Sequence, residues 1–544
     1  MLTPSITLKK NVVDLKATAL LSELITDFIS SNENLKDFYQ YESNIKEFRS
    51  AIANRKQFPF YRPQLVDALM QQNHLFLDEF KLIKSNIDLL LEENTYTVTT
   101  GHQVCIFTGP LYFIYKIIST INLADALKKE YPEYNFIPVY WLSGEDHDFA
   151  EINHIHLYNR KLEWKQDAKG PAGKLPTDSM AEVFSELKEI IGSGELANEL
   201  YKLFEEAYLF NSNLADATRF LVNKLFGRYG LIVLSGDDKS LKRLYVPILK
   251  DELENQRSES LVNETSAALQ KLGYKPQVHP RNINLFYIEE GIRERIVKSV
   301  DNRFEVINTN MSFDYNVMMQ LVETNPEKFS PNVVLRPLYQ DYILPNLAYV
   351  GGPGELSYWL QYKTMFAAHH VHYPVLVLRS SVLLMDAKSM RKLKTLNLDI
   401  ADLFKSMDEL SALYISKLEA DRFDFEEEKN TLEQLFANLK IKIAAIDKTL
   451  EGTVAAEYQK ILNSLELLHK KTTAAVKRKN DTALGQMKNL KDKVFPDSVF
   501  QERYLNFIPF YLQYGSTFIN MLKMNLTPFE NKLVLLEDDE KLQD

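Results

Sequence analysis

The segment with the clearest chemical potential runs from Thr99 to Pro110 and reads Thr-Thr-Gly-His-Gln-Val-Cys-Ile-Phe-Thr-Gly-Pro. It follows a β-branched run, and Pro110 suits an early helical position, so the local order is strand, turn, helix. Unpaired amides and the helix dipole at such a turn favour phosphate or carboxylate. The spacing matches neither GxGxxG nor GxxxxGK[ST], and a purely structural turn is the alternative. The candidate binding residues here are Gly101, His102, Gln103, Thr108 and Gly109.

Polar loops also follow the other apolar runs. They are Ser143-Gly144-Glu145-Asp146-His147-Asp148, Ser235-Gly236-Asp237-Asp238, Arg336-Pro337 with Gln340-Asp341, and Gly351-Gly352-Pro353-Gly354-Glu355. Ligands bind open α/β sheets beyond the carboxyl ends of the strands, so these loops are expected to meet at one cavity. Glycine and aspartate are also common in ordinary capped turns, which remains the alternative for each single loop.

The elements that must position these residues alternate between strand and helix. Strand-like runs cover Tyr96 to Thr100, Phe136 to Leu142, Leu231 to Leu234 and Val375 to Leu378, with a further apolar run at Val333 to Leu335. Helical patterns fill the first ninety residues and the intervals between the runs. The alternation predicts an α/β fold with a mostly parallel, doubly wound sheet.

Composition limits the classes of function. The 544 residues exceed one ordinary core, so roughly two to four structural units are expected. A net charge of −10 disfavours nucleic acid as the main partner. No stretch approaches the roughly 20 apolar residues of a membrane span, and no signal peptide is recognisable. Cys105 is the one cysteine, which favours a reducing cytoplasm and gives this thiol no assigned nucleophilic role.

From about Ser389 the strand signal disappears and long helices are predicted. Apolar residues recur at three- and four-residue steps at Ile443, Ile446, Leu450, Val454, Tyr458, Ile461, Leu465 and Leu468, and again at Val476, Ala483, Met487, Leu490 and Val494. This stripe predicts a coiled coil or helical hairpin. It could pair two chains, or it could be covered within one chain. A helix should end before Pro496, and Phe507 to Leu522 is expected to form a last apolar helix.

Two further interpretations of the polar residues stay open. Asp146, His147, Asp148, His154 and His156 could hold the metal ion of a hydrolase, although histidines this close are often hydrogen-bonded loop residues. Alternatively, the chain could be a nucleotide-binding scaffold without catalysis, whose coiled coil recruits partners.

The chain also resembles the bacillithiol biosynthesis cysteine-adding enzymes, a family of cysteine ligases, nearly from end to end. The residues that carry the resemblance include Thr100-Gly101-His102-Gln103, Phe107-Thr108-Gly109-Pro110-Leu111-Tyr112, Tyr115-Lys116, Trp141, Gly144-Glu145-Asp146-His147-Asp148-Phe149, Asn153-His154, Gln277-Val278-His279-Pro280-Arg281, Asn284-Leu285-Phe286, Arg336-Pro337, Gln340-Asp341-Tyr342, Leu344-Pro345, Ala348-Tyr349-Val350-Gly351-Gly352-Pro353-Gly354-Glu355, Tyr358-Trp359, Pro374-Val375-Leu376-Val377 and Gln501-Glu502-Arg503.

The resemblance implies a Rossmann-like core related to class I aminoacyl-tRNA synthetases. The core is expected over 1–388 with connecting insertions near 155–215 and 285–335, a coiled coil over 389–497 that pairs two chains, and a helical segment over 498–544 that returns to the core. The implied reaction joins the carboxyl of L-cysteine to the amine of glucosaminyl malate. By analogy, ATP would activate cysteine as an adenylate, with no metal expected beyond Mg²⁺ accompanying ATP.

Roles follow from the same resemblance. Gly101, His102 and Gln103 take the place of the synthetase HIGH-type turn and would steady phosphates, although the family more often has Gln at position 102. Among Asp146, His147 and Asp148, a carboxylate could hold the cysteine ammonium and the imidazole could accept a proton from the amine. Glycines 351, 352 and 354 would allow close approach of a ligand, with Glu355 on a ribose hydroxyl or ammonium. Arg336, Arg379 or Lys116 would pair with malate. No KMSKS-type loop is visible, because Arg379-Ser380-Ser381 stands there.

Overall fold

The structure is a computed structural model that describes residues 8–418 and 425–538. The expected ends of the chain's first and last domains, at 1 and 544, lie outside these residues. The strands are β1 Leu8–Asp14, β2 Thr95–Gln103, β3 Asn135–Ser143, β4 His154–Leu157, β5 Arg160–Glu163, β6 Ile232–Ser235, β7 Leu285–Glu289, β8 Ile292–Lys298, β9 Phe304–Val306, β10 Ser312–Phe313, β11 Phe329–Pro331, β12 Asn346–Gly351, β13 Val375–Leu378, β14 Ser381–Met385 and β15 Lys532–Asp538.

Helices occupy most of the intervals between the strands. They are α1 Glu23–Ile29, α2 Phe48–Arg55, α3 Arg62–Gln72, α4 Lys81–Leu89, α5 Tyr112–Glu130, α6 Phe149–Ile152, α7 Met180–Ile191, α8 Glu195–Tyr208, α9 Leu214–Phe226, α10 Lys239–Asn255, α11 Arg257–Lys271, α12 Tyr315–Thr324, α13 Leu335–Ile343, α14 Pro353–Trp359, α15 Lys363–Ala368, α16 Ala387–Thr395, α17 Met407–Leu418, α18 Glu426–Ala444, α19 Glu451–Lys479, α20 Asp481–Val494, α21 Gln501–Tyr504, α22 Ile508–Tyr514 and α23 Thr517–Asn525.

The chain divides into two compact units. Unit 1 is formed by the chain up to Leu383 together with Phe500–Leu536, and unit 2 by Leu384–Val499 and the residues from Glu537 on. None of the described helices is both long enough and apolar enough to cross a membrane.

A five-stranded parallel sheet organises unit 1. Its order is β13-β12-β2-β3-β6, and every neighbouring pair runs parallel. Successive strands β2, β3 and β6 proceed in one direction across the sheet, whereas β12 and β13 lie on the other side of β2. The strand order therefore reverses between β2 and β12, and a ligand cavity is expected beyond that point. The predicted doubly wound α/β architecture is confirmed.

Side chains on both faces of this sheet are buried, as a parallel sheet covered by helices requires. Val98 of β2, Val350 of β12 and Val377 of β13 pack with Phe48 and Ile52 of α2. Leu123 and Leu127 of α5 belong to the same cluster. Burial of each leucine side chain stabilises the fold by about 2 kcal/mol. This core fixes the strand ends that carry the polar loops.

Two local predictions are wrong. The apolar run at Val333 to Leu335 is not a strand, because the Asn332 side chain accepts hydrogen bonds from the amides of Val334 and Leu335 and starts α13. The fifth strand is instead β12. The expected single helix from Phe507 to Leu522 is two helices, α22 and α23, since the chain turns at Gly515 with φ +61°.

Two chain segments outside the central sheet form small sheets of their own. Strands β4 and β5 form an antiparallel pair, and β10-β9-β8-β7-β11 form an antiparallel sheet between α11 and α13. Strand β8 reads Ile-Arg-Glu-Arg-Ile-Val-Lys and brings two arginines, Arg293 and Arg295, onto this second sheet.

In unit 2, helices α18 and α19 form a hairpin. Phe436 contacts Tyr458 with ring centroids 5.4 Å apart, and Lys440 pairs with Glu451 at 3.5 Å. Several large apolar side chains of the hairpin remain exposed, namely Leu435, Ile441, Ile446, Ile461, Leu467 and Leu468. Of the predicted stripe, the Val476 side chain lies outside what the structure describes. Helix α20 ends at Val494, before Pro496 as expected.

Candidate functional site

A cavity of about 730 Å³ opens at the carboxyl ends of β2, β3 and β12, where the strand order reverses. It brings together residues that are far apart in sequence. The predicted site residues that line it are Gly101, His102, Gln103, Lys116, Asp146, His147, Arg336, Gly352, Gly354, Glu355 and Arg379. The separate polar loops therefore share one cavity.

Five predicted site residues do not line this cavity. Asp148 is exposed ahead of α6, and Asp341 is buried beneath the site, where it accepts hydrogen bonds from the side chains of Asn346 and Gln340. Burial raises the pKa of Asp341 to about 7, although these amides oppose the shift. Gly351 ends β12 beneath the glycine loop, and Thr108 and Gly109 are buried in the turn before α5.

That turn is conformationally strained. Phe107, Thr108 and Gly109 all have positive φ, at 48°, 72° and 65°. The Asn506 side-chain amide donates to the carbonyls of Phe107 and Gly109, at 2.8 and 2.6 Å. Left-handed conformations at non-glycine residues persist only where surrounding contacts hold them. A segment near the end of unit 1 thus holds the turn that sequence reasoning assigned to anion binding.

Lys116, which is buried, and Glu355, which is partly exposed, form an ion pair at the floor of the cavity. The Lys116 ammonium lies 2.8 Å from one Glu355 oxygen and also donates to the Gly101 carbonyl. Burial acts to raise the pKa of Glu355, but Lys116, the Gly352 amide and the Tyr349 hydroxyl together lower it to about 2. The pair fixes β2 against the glycine loop.

Arg379 is held by Glu502, which belongs to the second chain segment of unit 1. Its guanidinium makes a two-pronged contact with Glu502, at 2.7 and 3.1 Å. Its Nε is buried and has no hydrogen-bond partner in the part of the chain that the structure describes. It lies close to Gly352, about 3.6 Å from the position that a Cβ atom on that glycine would take. A buried guanidinium N–H without a partner is ready to donate to an anion.

Asp146 and His147 occupy the end of β3. Gln103 donates to Asp146 Oδ2 at 2.8 Å, and Arg293 Nη1 lies 3.5 Å from Oδ1. Burial acts to raise the pKa of Asp146, but Arg293 and the hydrogen bonds from Gln103 and the His147 amide outweigh it and lower the pKa below its usual value. Asp146 is therefore a carboxylate in the working pH range.

Several cavity residues were missed from the sequence. They are Tyr112, Glu151, His279, Arg281, Phe286, Arg293, Arg295, Tyr358 and Arg503. His279, Arg281 and Phe286 lie in motifs that carried the family resemblance, as does Arg503. That resemblance was the available signal for them, since nothing in the local pattern indicates that β8 or α21 reaches the cavity.

Positive charge exceeds negative charge in the cavity lining. Lys116, Arg293 and Arg379 each pair with a carboxylate. By contrast, four lining arginines have no carboxylate within 4 Å among the described residues, namely Arg281, Arg295, Arg336 and Arg503. Uncompensated guanidinium groups in a partly enclosed cavity attract phosphates and carboxylates.

The metal-hydrolase alternative is not supported. Among the described residues, no three His, Cys, Asp or Glu side chains are arranged to hold a metal ion. His154 and His156 do lie on one side of β4, with ring centroids 5.3 Å apart, but neither lines the cavity. The His156 ring instead stacks on Tyr504 at 3.9 Å.

The fold and the cavity define a Rossmann-like α/β protein with a cationic ligand site at the switch point of its sheet. Residues 8–380 match the family described as "Bacillithiol biosynthesis BshC, N-terminal Rossmann-like domain", and residues 382–537 match its "C-terminal coiled-coil domain". The chain belongs to the BshC family of bacillithiol biosynthesis, which confirms the resemblance inferred from the motifs.

Relatives support the same assignment. A protein of Flavobacterium johnsoniae named "Putative cysteine ligase BshC" is 46% identical over 82% of this chain and 84% of its own length. A protein of the same name from Christiangramia forsetii is 40% identical over 97% of this chain and 98% of its own length. A solved Campylobacter jejuni structure described as a "putative arginyl T-RNA synthetase" covers 78% of this chain, but 13% identity and a TM-score of 0.21 carry no argument.

Proposed function

We propose that this protein is a ligase that joins L-cysteine to glucosaminyl malate by an amide bond, in the last step of bacillithiol biosynthesis. Membership of the BshC family supports the reaction class. The observation that carries the proposal is the set of four unpaired arginines around one cavity, because glucosaminyl malate brings two carboxylates that need cationic partners.

ATP is the proposed activator of cysteine. A carboxylate is a poor electrophile, so amide formation needs a better leaving group than oxide. Attack of the cysteine carboxylate on the α-phosphorus of ATP would give cysteinyl adenylate and pyrophosphate, and the sugar amine would then displace AMP. Guanidinium groups stabilise the charge on phosphate oxygens during such a transfer. Mg²⁺ would enter with ATP rather than on a protein ligand set.

The cavity also offers a group that could bind the amino acid substrate. Ionised Asp146 could hold the cysteine ammonium at the end of β3. Cys105 takes no part as a nucleophile, since burial raises the pKa of its thiol to about 12 and keeps it protonated. We place the reaction in the cytoplasm, where a chain with one unpaired thiol remains reduced.

The test is a product assay with purified protein. Mass spectrometry of a mixture containing protein, glucosaminyl malate, L-cysteine and ATP should detect bacillithiol together with AMP and pyrophosphate. Omitting ATP should abolish the product. Absence of bacillithiol from the complete mixture would favour the non-catalytic scaffold, and product without ATP would overturn the activation step alone.

We further propose that the chain works as a homodimer paired through α18 and α19. The exposed apolar residues of this hairpin support the proposal, since Ile461 and Leu468 repeat at seven-residue spacing on one face of α19. A second copy of the chain is the occupant that would cover them.

A further inference from the structure

His147 has a hydrogen-bond partner that determines where its proton can lie. Arg293 Nη1 is 2.6 Å from His147 Nδ1. A guanidinium only donates hydrogen bonds and stays protonated in proteins, so Nδ1 must be the acceptor. The other polar atom near Nδ1, Asp146 Oδ1, is 3.5 Å away and competes weakly. The imidazole is therefore neutral, with its proton on Nε2.

Arg293 is itself firmly placed. It is buried, and its guanidinium stacks on the Phe286 ring at 3.9 Å while facing Asp146. The His147 ring packs against the same phenyl ring, with centroids 5.7 Å apart. Phe286 and Arg293 come from the neighbouring strands β7 and β8. The antiparallel sheet therefore positions His147, which lies in the loop after β3 of the parallel sheet.

The other nitrogen of His147 is available to a ligand. The side chain is 50% exposed and lines the cavity, and no described residue hydrogen-bonds Nε2. His102 shows the opposite arrangement, since its Nδ1 lies 3.0 Å from the Gln103 carbonyl and must donate to it. Nε2 of His102 is left as an acceptor. The two imidazoles thus present opposite polarity to one cavity.

We propose that His147 acts as a neutral hydrogen-bond donor through Nε2–H, and that Arg293 is the positioning residue that imposes this tautomer. The inference deepens the proposed ligase function and rests on it. When the amine lone pair forms the C–N bond, the carbonyl π pair moves onto oxygen, and His147 donates to that oxyanion. Re-formation of the C=O bond then expels AMP with the C–O electron pair, and the extra amine proton passes to solvent water. His147 thus serves as a donor, in contrast to the proton acceptor expected from the sequence.

The tautomer can be measured without substrate. Histidine labelled with ¹³C at Cδ2 gives separate NMR shifts for the two neutral tautomers and for imidazolium, and the His147→Gln spectrum assigns the His147 signal. The wild-type signal should show the Nε2–H tautomer, and Arg293→Met should shift it toward a mixture. Arg303→Met, on an exposed arginine that bonds Ser312, should leave it unchanged. An Nδ1–H tautomer or imidazolium in the wild type overturns the proposal.

The role is tested by product formation. Loss of one oxyanion donor costs roughly 100- to 1,000-fold in kcat, which is the fall expected for His147→Ala. His147→Gln keeps an N–H donor and should stay within about tenfold of wild type. Arg293→Met alone should lower kcat. The same substitution should lower kcat far less when combined with His147→Gln, because the glutamine amide has no tautomers for Arg293 to select between. Equal loss in the Ala and Gln variants overturns the donor role. If wild type makes no product, the ligase function fails while the NMR result still decides the tautomer.

Discussion

Arg379 and Glu502 are 123 positions apart in sequence, yet they form a two-pronged ion pair with shortest N–O contact of 2.7 Å. Both side chains are almost fully buried, at 2% and 4% exposed. The pair joins the end of the central sheet to α21, the helix that also carries Arg503 into the cavity. A contact between distant parts of unit 1 therefore sets one wall of the site.

Glu502→Gln should destabilise the protein and reduce ligase activity. Removing one partner leaves the Arg379 charge buried and unpaired, a change that costs about 3–5 kcal/mol. Urea unfolding measures the change in free energy. Asp88→Asn, which breaks the exposed pair with Lys84, is the matched control and should cost under about 1 kcal/mol. Equal effects of the two substitutions would contradict a structural role for the buried pair.

Arg336→Met should weaken binding of an anionic substrate. Arg336 lines the cavity beside Gly101, and its Nη1 donates to the neutral Gln340 side chain at 3.1 Å. Losing a charged hydrogen bond costs about 1.5–3 kcal/mol, so KM for ATP or glucosaminyl malate should rise roughly 10- to 100-fold. Steady-state kinetics with each substrate varied in turn will show whether Arg336 binds ATP or glucosaminyl malate. Arg303→Met is the control, and unchanged KM values for both substrates would remove Arg336 from the binding site.

His102→Ala should lower turnover with the fold retained. Burial and the nearby Lys116 lower the pKa of His102 to about 4, so it is neutral at working pH and offers Nε2 as an acceptor. Loss of such a group typically costs about 10²- to 10⁴-fold in rate. Circular dichroism checks the fold, and His74→Ala, on an exposed residue, is the control. Unchanged kinetics would exclude a role for His102.

Acidification should destabilise the protein through His372. This side chain is 3% exposed, and burial together with Arg55 lowers its pKa from 6.5 to about 3. Below pH 6.5 the unfolded chain binds a proton that the folded protein excludes, so stability is lost as pH falls. From pH 7.5 to 5 this histidine should contribute a loss of about 2 kcal/mol. Urea unfolding of His372→Gln at both pH values should show a correspondingly smaller drop than wild type, whereas His74→Gln should match wild type.

Charge placed on the exposed stripe of α19 should dissociate the proposed dimer. Ile461→Lys with Leu468→Lys introduces two ammonium groups where apolar side chains would meet a second copy. Sedimentation velocity should change from dimer to monomer. Gln459→Lys, at an exposed polar position of the same helix, should remain dimeric. A monomeric wild type would favour the hairpin that is complete within one chain.

The sequence predicts most of the parallel sheet because its strands are short apolar runs that end in polar residues, three of them with a glycine in the loop that follows. It misses β12, since Asn346–Gly351 follows a proline and merges into a glycine loop, and it misreads Val333 to Leu335, where the Asn332 cap favours a helix. Arg293 could not be anticipated, because its alternating strand looks like an ordinary solvated edge. Its position against His147 depends on the packing of one sheet against another, which local pattern does not encode.

The Asn506 clamp on the strained turn has a consequence for synthesis of the protein. Ribosomes deliver the sheet and the turn at 106–109 long before Asn506 and Glu502 emerge. A nascent chain without these residues lacks the two hydrogen bonds from Asn506 to the carbonyls of Phe107 and Gly109, and it lacks the carboxylate that pairs with Arg379. We therefore expect the turn and the Arg379 side of the cavity to reach their final geometry only after the segment that carries Glu502 and Asn506 has joined unit 1.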